Sequence, residues 1–224
     1  MRATVLWTGG KDSALAFYKA RLMGYEIVNL LTFVPKKADF LAHPLSFMKR
    51  QSEAIGLCHH KMVVEAPLEN AYEDAIHFFK ERYKIEALIT GDIAEVDGQP
   101  NWIKQRSISN NIEVIMPLWG TDRGNIFKEL LSCGFKATIS CIKKGCLGDN
   151  WLGKELDEKA LDDLCEISSK TGIDICGENG EYHTLVTDGP IFKNTLVIGS
   201  FSKHENRSLK YIKPYNVVLA DKPY

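Results

Sequence analysis

Thr8-Gly9-Gly10-Lys11-Asp12-Ser13 is the stretch whose reading decides the fold. A short apolar β-type run, Thr4–Trp7, enters it. A helix-like segment from Asp12 to about Met23 leaves it, with Ala14, Leu15, Phe17, Tyr18 and Leu22 near a 3.6-residue period. Strand, glycine turn and helix N-terminus together make an anion trap. Paired glycines let backbone N–H groups approach an oxyanion with no Cβ in the way. The first helical N–H groups lack intrahelical partners and lie at the positive end of the helix dipole. Lys11 adds a full charge, and Thr8 and Ser13 add hydroxyl donors. A phosphate chain is the ligand that satisfies this set. The same residues also fit a glycine turn into an ordinary amphipathic helix capped by Asp12 and Ser13. Gly-Gly-Lys-Asp-Ser directly after a first strand favours the phosphate loop.

Neither the G-x-x-x-x-G-K-[ST] loop nor the G-x-G-x-x-G dinucleotide fingerprint is present. Thr8–Ser13 resembles instead the PP-loop, S-G-G-x-D-S, of the ATP pyrophosphatases, with Thr8 keeping the first hydroxyl. That resemblance implies cleavage of ATP between its α- and β-phosphates and adenylation of a substrate.

The 224 residues suffice for an α/β domain with a smaller appendage. Hydrophobic residues make up 45% and charged residues 25%, which fits a globular protein. The net charge of −1 gives no broad attraction to nucleic acid, so none is expected as a partner. No run of about 18 apolar residues occurs, and Gly9–Asp12 breaks any secretory segment near the start; a cytoplasmic location without membrane contact is expected. Six cysteines form no C-x-x-C pair and are expected to be scattered thiols, with Cys141 and Cys146 a poor zinc pattern. His59-His60 are expected at the surface. Oligomeric state is not legible.

Strand-like and helix-like segments alternate: Glu26–Phe33 (strand), Ser46–Gly56 (helix), Lys61–Ala66 (strand), Glu69–Tyr83 (helix) and Ala87–Ile93 (strand). Glu113–Trp119, a helix at Asp122–Cys133 and the strand Phe135–Ile142 continue the series. This predicts right-handed βαβ units and a parallel, Rossmann-like sheet. After about Gly145 the pattern changes to a helix, Asp157–Thr171, then strands expected at Thr195–Phe201 and Lys210–Ala220, read as antiparallel. The expected division is therefore a PP-loop α/β domain over 1–144 and a smaller α+β subdomain over 145–224.

Ligands of open α/β sheets collect at the carboxyl ends of the strands. That rule selects Thr8–Ser13, the loop from Phe33 through His43-Pro44, Gly91-Asp92-Ile93 and Pro117–Gly120. Asp92 fits a magnesium, amine or ribose ligand as well as a cap, and its place at a strand end favours function. A second dense cluster is Gly177-Glu178-Asn179-Gly180-Glu181-Tyr182-His183-Thr184. If Glu181–Val186 is extended, Glu181, His183 and Leu185 share a face. The set suits metal binding, amine binding or acid–base work, and equally a solvated Asn-Gly turn. His43 reads as a structural hydrogen-bonder, Trp102 and Trp119 as core, and Lys104 and Arg106 as a solvated helix face.

The PP-loop, Gly91-Asp92-Ile93, Pro117-Leu118-Trp119, Trp151-Leu152-Gly153, Gly177–Thr184 and Asp188-Gly189-Pro190 occur in that order. Together they resemble the diphthine–ammonia ligase family across nearly the whole chain. The resemblance implies an adenine nucleotide α-hydrolase-type domain, a C-terminal domain that helps form the substrate site, and ATP-dependent amidation of diphthine on elongation factor 2, releasing AMP and pyrophosphate. It implies ATP and Mg²⁺ at Thr8, Gly9, Gly10, Lys11, Asp12, Ser13, Gly91 and Asp92, with Asp12 and Asp92 meeting the metal. Lys11 and Asp12, with Glu178, Glu181 and His183 toward the acceptor, are the expected catalytic residues. Position 2 is Arg2, and no G-x-C-x-G elbow occurs, so free ammonium or a separate glutaminase is the implied nitrogen source. Diphthamide-forming members end the C-terminal motif Glu-Tyr-Glu-Thr or Glu-Phe-Glu-Thr, whereas this chain has Glu181-Tyr182-His183-Thr184, like a branch also found in bacteria, which lack diphthamide. ATP use carries over; the acceptor does not. The rivals are amidation of another small carboxylate such as a cobalamin precursor, a tRNA-modifying PP-loop enzyme, and an ATP-sensing module without turnover.

Overall fold

The computed structural model describes residues 1–37, 40–95 and 100–222. Part of the expected Phe33–Pro44 loop, at positions 38 and 39, therefore lies outside the described residues. The chain forms two compact units. The first comprises Met1–Thr8, Asp12–Asp39 and Leu57–Gly120; the second comprises Gly9–Lys11, Phe40–Gly56 and Thr121–Tyr224.

The first unit is built on five parallel strands: β1 (Arg2–Leu6), β2 (Glu26–Val34), β3 (His59–Val63), β4 (Ala87–Ile89) and β5 (Glu113–Ile115). Their order is β3-β2-β1-β4-β5, and every pairing is parallel, a Rossmann-like sheet as the alternation predicts. The order reverses between β1 and β4, so the carboxyl ends of these two strands lie at the topological switch point where such sheets take ligands. Helix α1 (Lys11–Leu22) buries Ala14, Leu15, Ala16, Phe17 and Ala20. Leu22, expected to face inward, is exposed in the last turn. After α1 come α2 (Leu45–Ile55), α3 (Leu68–Tyr83) and α4 (Trp102–Ser107), of which α2 belongs to the second unit. Ile76 and Phe79 of α3 pack with Leu31, Ile85, Leu88 and Ile112 in a buried apolar cluster.

Strands β4 and β5 are shorter than their apolar runs. The ladder stops at Ile89 and Ile115, and the remaining residues form loops tied together by Gly120 N–H donating to the Ile93 carbonyl at 2.8 Å. His59 and His60, expected at the surface, are half-buried. His59 Nε2 lies 2.8 Å from Thr32 Oγ1, and the His60 ring packs on Phe79 and Tyr83. Trp102 and Trp119, expected in the core, are each more than a third exposed. Arg106, expected on a solvated face, lies over the Trp102 ring and pairs with Glu73.

The second unit carries an antiparallel sheet of β6 (Lys136–Lys143), β7 (Tyr182–Asp188), β8 (Asn194–Glu205) and β9 (Leu209–Asp221), in the order β7-β6-β9-β8. The β8–β9 hairpin matches the antiparallel expectation. Strand β6 does not continue the parallel sheet. It lies between β7 and β9 and pairs with both antiparallel, so residues 121–144 cluster with the second unit. Its buried apolar stretch, Ile139 to Ile142, suits either kind of sheet, so local pattern could not place it. Helices α5 (Arg123–Ser132) and α6 (Glu158–Thr171) are capped by Asp122 and Asp157, whose side chains accept from Asn125 N–H and Ala160 N–H. All six cysteines are free thiols. Among the described residues no helix is long and apolar enough to cross a membrane.

Phe79→Ala, which empties the centre of the α3 cluster, is expected to cost about 3–5 kcal/mol. Denaturant unfolding of the variant against the parent checks this, with the midpoint shifting at nearly constant slope.

Candidate active site

In the first unit the loop after β1 and the loop after β4 meet. Thr8 Oγ donates to Ser13 Oγ at 3.0 Å, closing the ends of the glycine turn. Gly91 lies flat against the first turn of α1: a Cβ there would stand 2.7 Å from both Asp12 C and Ser13 N. Only glycine fits that approach without moving backbone. Asp92 accepts from the side-chain amide of Asn101, whose own oxygen caps α4 by accepting from Lys104 N–H. The cap that sequence reading offered for Asp92 thus falls to Asn101, and Asp92 orients that cap.

In the second unit Gly9–Lys11 is pinned to β7. Gly9 adopts a positive φ of 79°, and its carbonyl accepts from Val186 N–H at 3.0 Å and from Gln51 Nε2 at 2.8 Å. Gln51 spends its other amide proton on the Val186 carbonyl. Lys11 N–H donates to Thr184 Oγ1 at 3.0 Å. Its side chain is buried, with Nζ donating to the Cys176 carbonyl at 2.6 Å and lying 5.6 Å from the centre of the Tyr182 ring.

The loop before β7 is tightly held. Glu181 is 5% exposed, and its carboxylate accepts from Asp174 N–H, Asn179 N–H and the Asn179 amide. That geometry makes Glu181 a clamp for residues 174–179, whereas sequence reading expected it to face the acceptor. Tyr182 Oη donates to the Ile175 carbonyl at 2.6 Å. Glu178 is exposed. His183 packs edge-on against His43, with ring centroids 5.3 Å apart. His43 is pushed down to about 3 by burial, then by the neighbouring His183 and Lys11 charges, and its Nδ1 is buried without a hydrogen-bond partner. A neutral imidazole is therefore built in beside Lys11 and His183.

The structure thus brings Gly91 to Asp12 and Ser13 in one unit. In the other it brings Lys11 to the Gly177–Thr184 motif. Sequence reading missed Gln51, Arg123 and Asp174. A fully buried amide on the apolar face of α2, among Phe47, Met48 and Ile55, was the available signal for Gln51. Arg123 Nε donates to Asp174 Oδ2 at 3.0 Å, and no local pattern announced that pair.

Comparison with known proteins gives a consistent result. Residues 1–109 match a family model described as the diphthamide synthase N-terminal domain, and residues 122–218 match the diphthamide synthase C-terminal domain. A protein of Danio rerio named diphthine–ammonia ligase is 30% identical over 227 residues, covering 88% of this chain and 86% of its own. The Homo sapiens protein of that name is 27% identical over 228 residues, covering 89% and 84%. A solved structure, described as a predicted subunit of tRNA methyltransferase from Methanocaldococcus jannaschii, aligns over 83% of this chain and 96% of its own, with 17% identity and a TM-score of 0.47.

His43 takes a proton near pH 6.5 when unfolded but only near 3 when folded, so between those values the unfolded chain holds the extra proton. Stability therefore falls as pH drops through that window. His59, held to about 4 by burial and then by Lys61 and His60, acts with the same sign. His43→Gln is expected to flatten the slope partially, leaving the His59 share. Chemical unfolding across a pH series measures this, and an identical slope in the variant would contradict it.

Proposed function

Because the chain belongs to the diphthine–ammonia ligase family, we propose that it is an ATP-dependent amide-forming ligase that joins ammonia to a substrate carboxylate, with diphthine on elongation factor 2 as the acceptor. ATP supplies the activation: a carboxylate oxygen attacks the α-phosphorus and pyrophosphate leaves; ammonia, formed when ammonium gives up a proton, then attacks the acyl carbon and loses a further proton as the amide forms and AMP departs. The observation that carries this reading is the direct link between the two motifs: Lys11 of the glycine loop is bound through its N–H to Thr184 and through its ammonium to Cys176. A module that only senses ATP needs the loop alone.

In this reading the α1 N-terminus, kept open by Gly91, receives the phosphates, and Thr8, Gly9, Gly10 and Ser13 supply donors. Lys11 exchanges the Cys176 carbonyl for a phosphate oxygen and balances negative charge on the departing pyrophosphate. No group of three or more His, Cys, Asp or Glu side chains among the described residues would hold a metal alone. Asp12 and Asp92 are the carboxylates that would hold a magnesium ion, which would offset phosphate charge. Glu178, exposed at the tip of its turn, and His183 are proposed to face the acceptor and take the proton from the attacking amine. Glu181 holds the loop that carries Glu178.

One observation favours a second acceptor. His183 stands where the diphthamide-forming motif has a carboxylate, so the surface met by the acceptor is more cationic, which suits a small, more anionic carboxylic acid. The test is direct. Incubation with ATP, magnesium, ammonium and diphthine-bearing elongation factor 2 is expected to release pyrophosphate and convert the acid to the amide, read by mass. Pyrophosphate release with a small carboxylic acid but no change in the elongation factor would move the assignment to the second acceptor. ATP binding without pyrophosphate from either would leave the sensor.

A further inference from the structure

The ammonium of Lys11 donates to the carbonyl of Cys176 at 2.6 Å. Everything around that carbonyl fixes its direction. Asp174 Oδ1 accepts from Cys176 N–H at 2.7 Å, and the Asp174 carbonyl accepts from Gly177 N–H at 2.9 Å, so one residue grips the peptide groups on both sides of Cys176. The Asp174 carboxylate is itself held from outside: Arg123 Nε donates to Oδ2 at 3.0 Å. Cys176 Sγ approaches the Arg123 carbonyl at 3.4 Å, a second tie between the start of α5 and this turn. We propose that Arg123 and Asp174 are positioning residues for Lys11, acting through the Cys176 peptide.

A purely structural role explains the pair less well. Arg123 and Asp174 are half-buried at the wall of a cavity of about 390 Å³, not packed in the core. Ion pairs of this kind contribute little net stability, because desolvation offsets the attraction. Asp174 holds the Arg123 guanidinium more strongly cationic, overcoming the opposing effect of burial, with Glu178 adding to it. Loss of Arg123 lets the Asp174 carboxylate rotate and loss of Asp174 removes it; either frees Cys176 N–H and allows the carbonyl that aims Lys11 to swing away. The chain of contacts runs from Arg123 to Asp174, to the Cys176 peptide, to Lys11, and every link is a hydrogen bond inside the second unit.

This inference rests on the reading of Lys11 as a phosphate ligand. Its test is a double-mutant cycle on the full-length chain, with ATP affinity by calorimetry and pyrophosphate release as readouts. Lys11→Ala is expected to weaken ATP binding about tenfold or more, as for a charge-assisted contact. Arg123→Met and Asp174→Asn are each expected to weaken it about threefold or more in the parent and to have no further effect in the Lys11→Ala background, the mark of residues acting through a shared partner. Arg123→Lys, which keeps charge and one donor, is expected to recover part of the loss. Asp174→Asn keeps the shape of the turn, so the cycle survives if Arg123→Met folds poorly, and thermal midpoints identify that case. Equal losses with and without Lys11 would overturn the positioning role and leave the ligase reading intact. Unchanged ATP binding in Lys11→Ala would overturn both, through the function of Lys11 itself.

Discussion

The hold of β7 on Gly9–Lys11 is the constraint from which the candidate site follows. Three consecutive residues of a glycine turn would otherwise be free to sample many conformations, at an entropic cost of about 1–2 kcal/mol per residue to order. Here the Gly9 carbonyl has two donors, Lys11 N–H has the Thr184 hydroxyl, and the Lys11 ammonium has the Cys176 carbonyl. Each bond is worth about 1 kcal/mol net, yet removing one partner of a buried pair costs about 1–3 kcal/mol because the other is left dry. The loop is therefore ordered before any ligand arrives. Most of that order comes from residues far away in sequence: Gln51, Cys176, Thr184 and Val186.

Those distant partners explain what was legible in the sequence. The glycine turn and the helix that follows were readable because local chemistry dictates them: Gly9 takes a positive φ, and Gly91 must come within contact of Asp12 and Ser13. The alternation from β1 to β5 was readable because periodicity and punctuation are local too; α2, for example, stops at Gly56 as expected, in the left-handed conformation. The site of β6 was not readable. Its neighbours β7 and β9 lie about 40 and 70 positions downstream, and a doubly buried strand reads alike in either sheet. Arg123 and Asp174 were hidden for the same reason: an ion pair between a helix start and a turn, 51 positions apart, has no periodic signature. Glu181 was found as a member of the motif, but its three N–H donors were not legible, since composition does not tell a carboxylate that meets substrate from one that clamps its own loop.

Electrostatics give the second unit its character. Lys11 and the pair Arg123–Asp174 contact the segment from Asp174 to Thr184, and His43 is held neutral by burial and by its neighbours His183 and Lys11. A neutral imidazole costs less to bury than a charged one. In the proposed reaction this arrangement favours an anionic acceptor and leaves proton transfer to the exposed Glu178 and half-buried His183. The exchange of a carboxylate for His183 shifts that balance toward the cationic side, which bears on the choice of acceptor and not on the use of ATP.

The central claim is that residues 8–13 are shaped to hold a triphosphate. Titration calorimetry of the intact chain with ATP and magnesium tests it most directly. The account predicts saturable uptake of one nucleotide per chain, weakened when Gly91→Ala crowds the first turn of α1. Absence of any heat of binding, together with an unfolding midpoint that ATP does not raise, would contradict it.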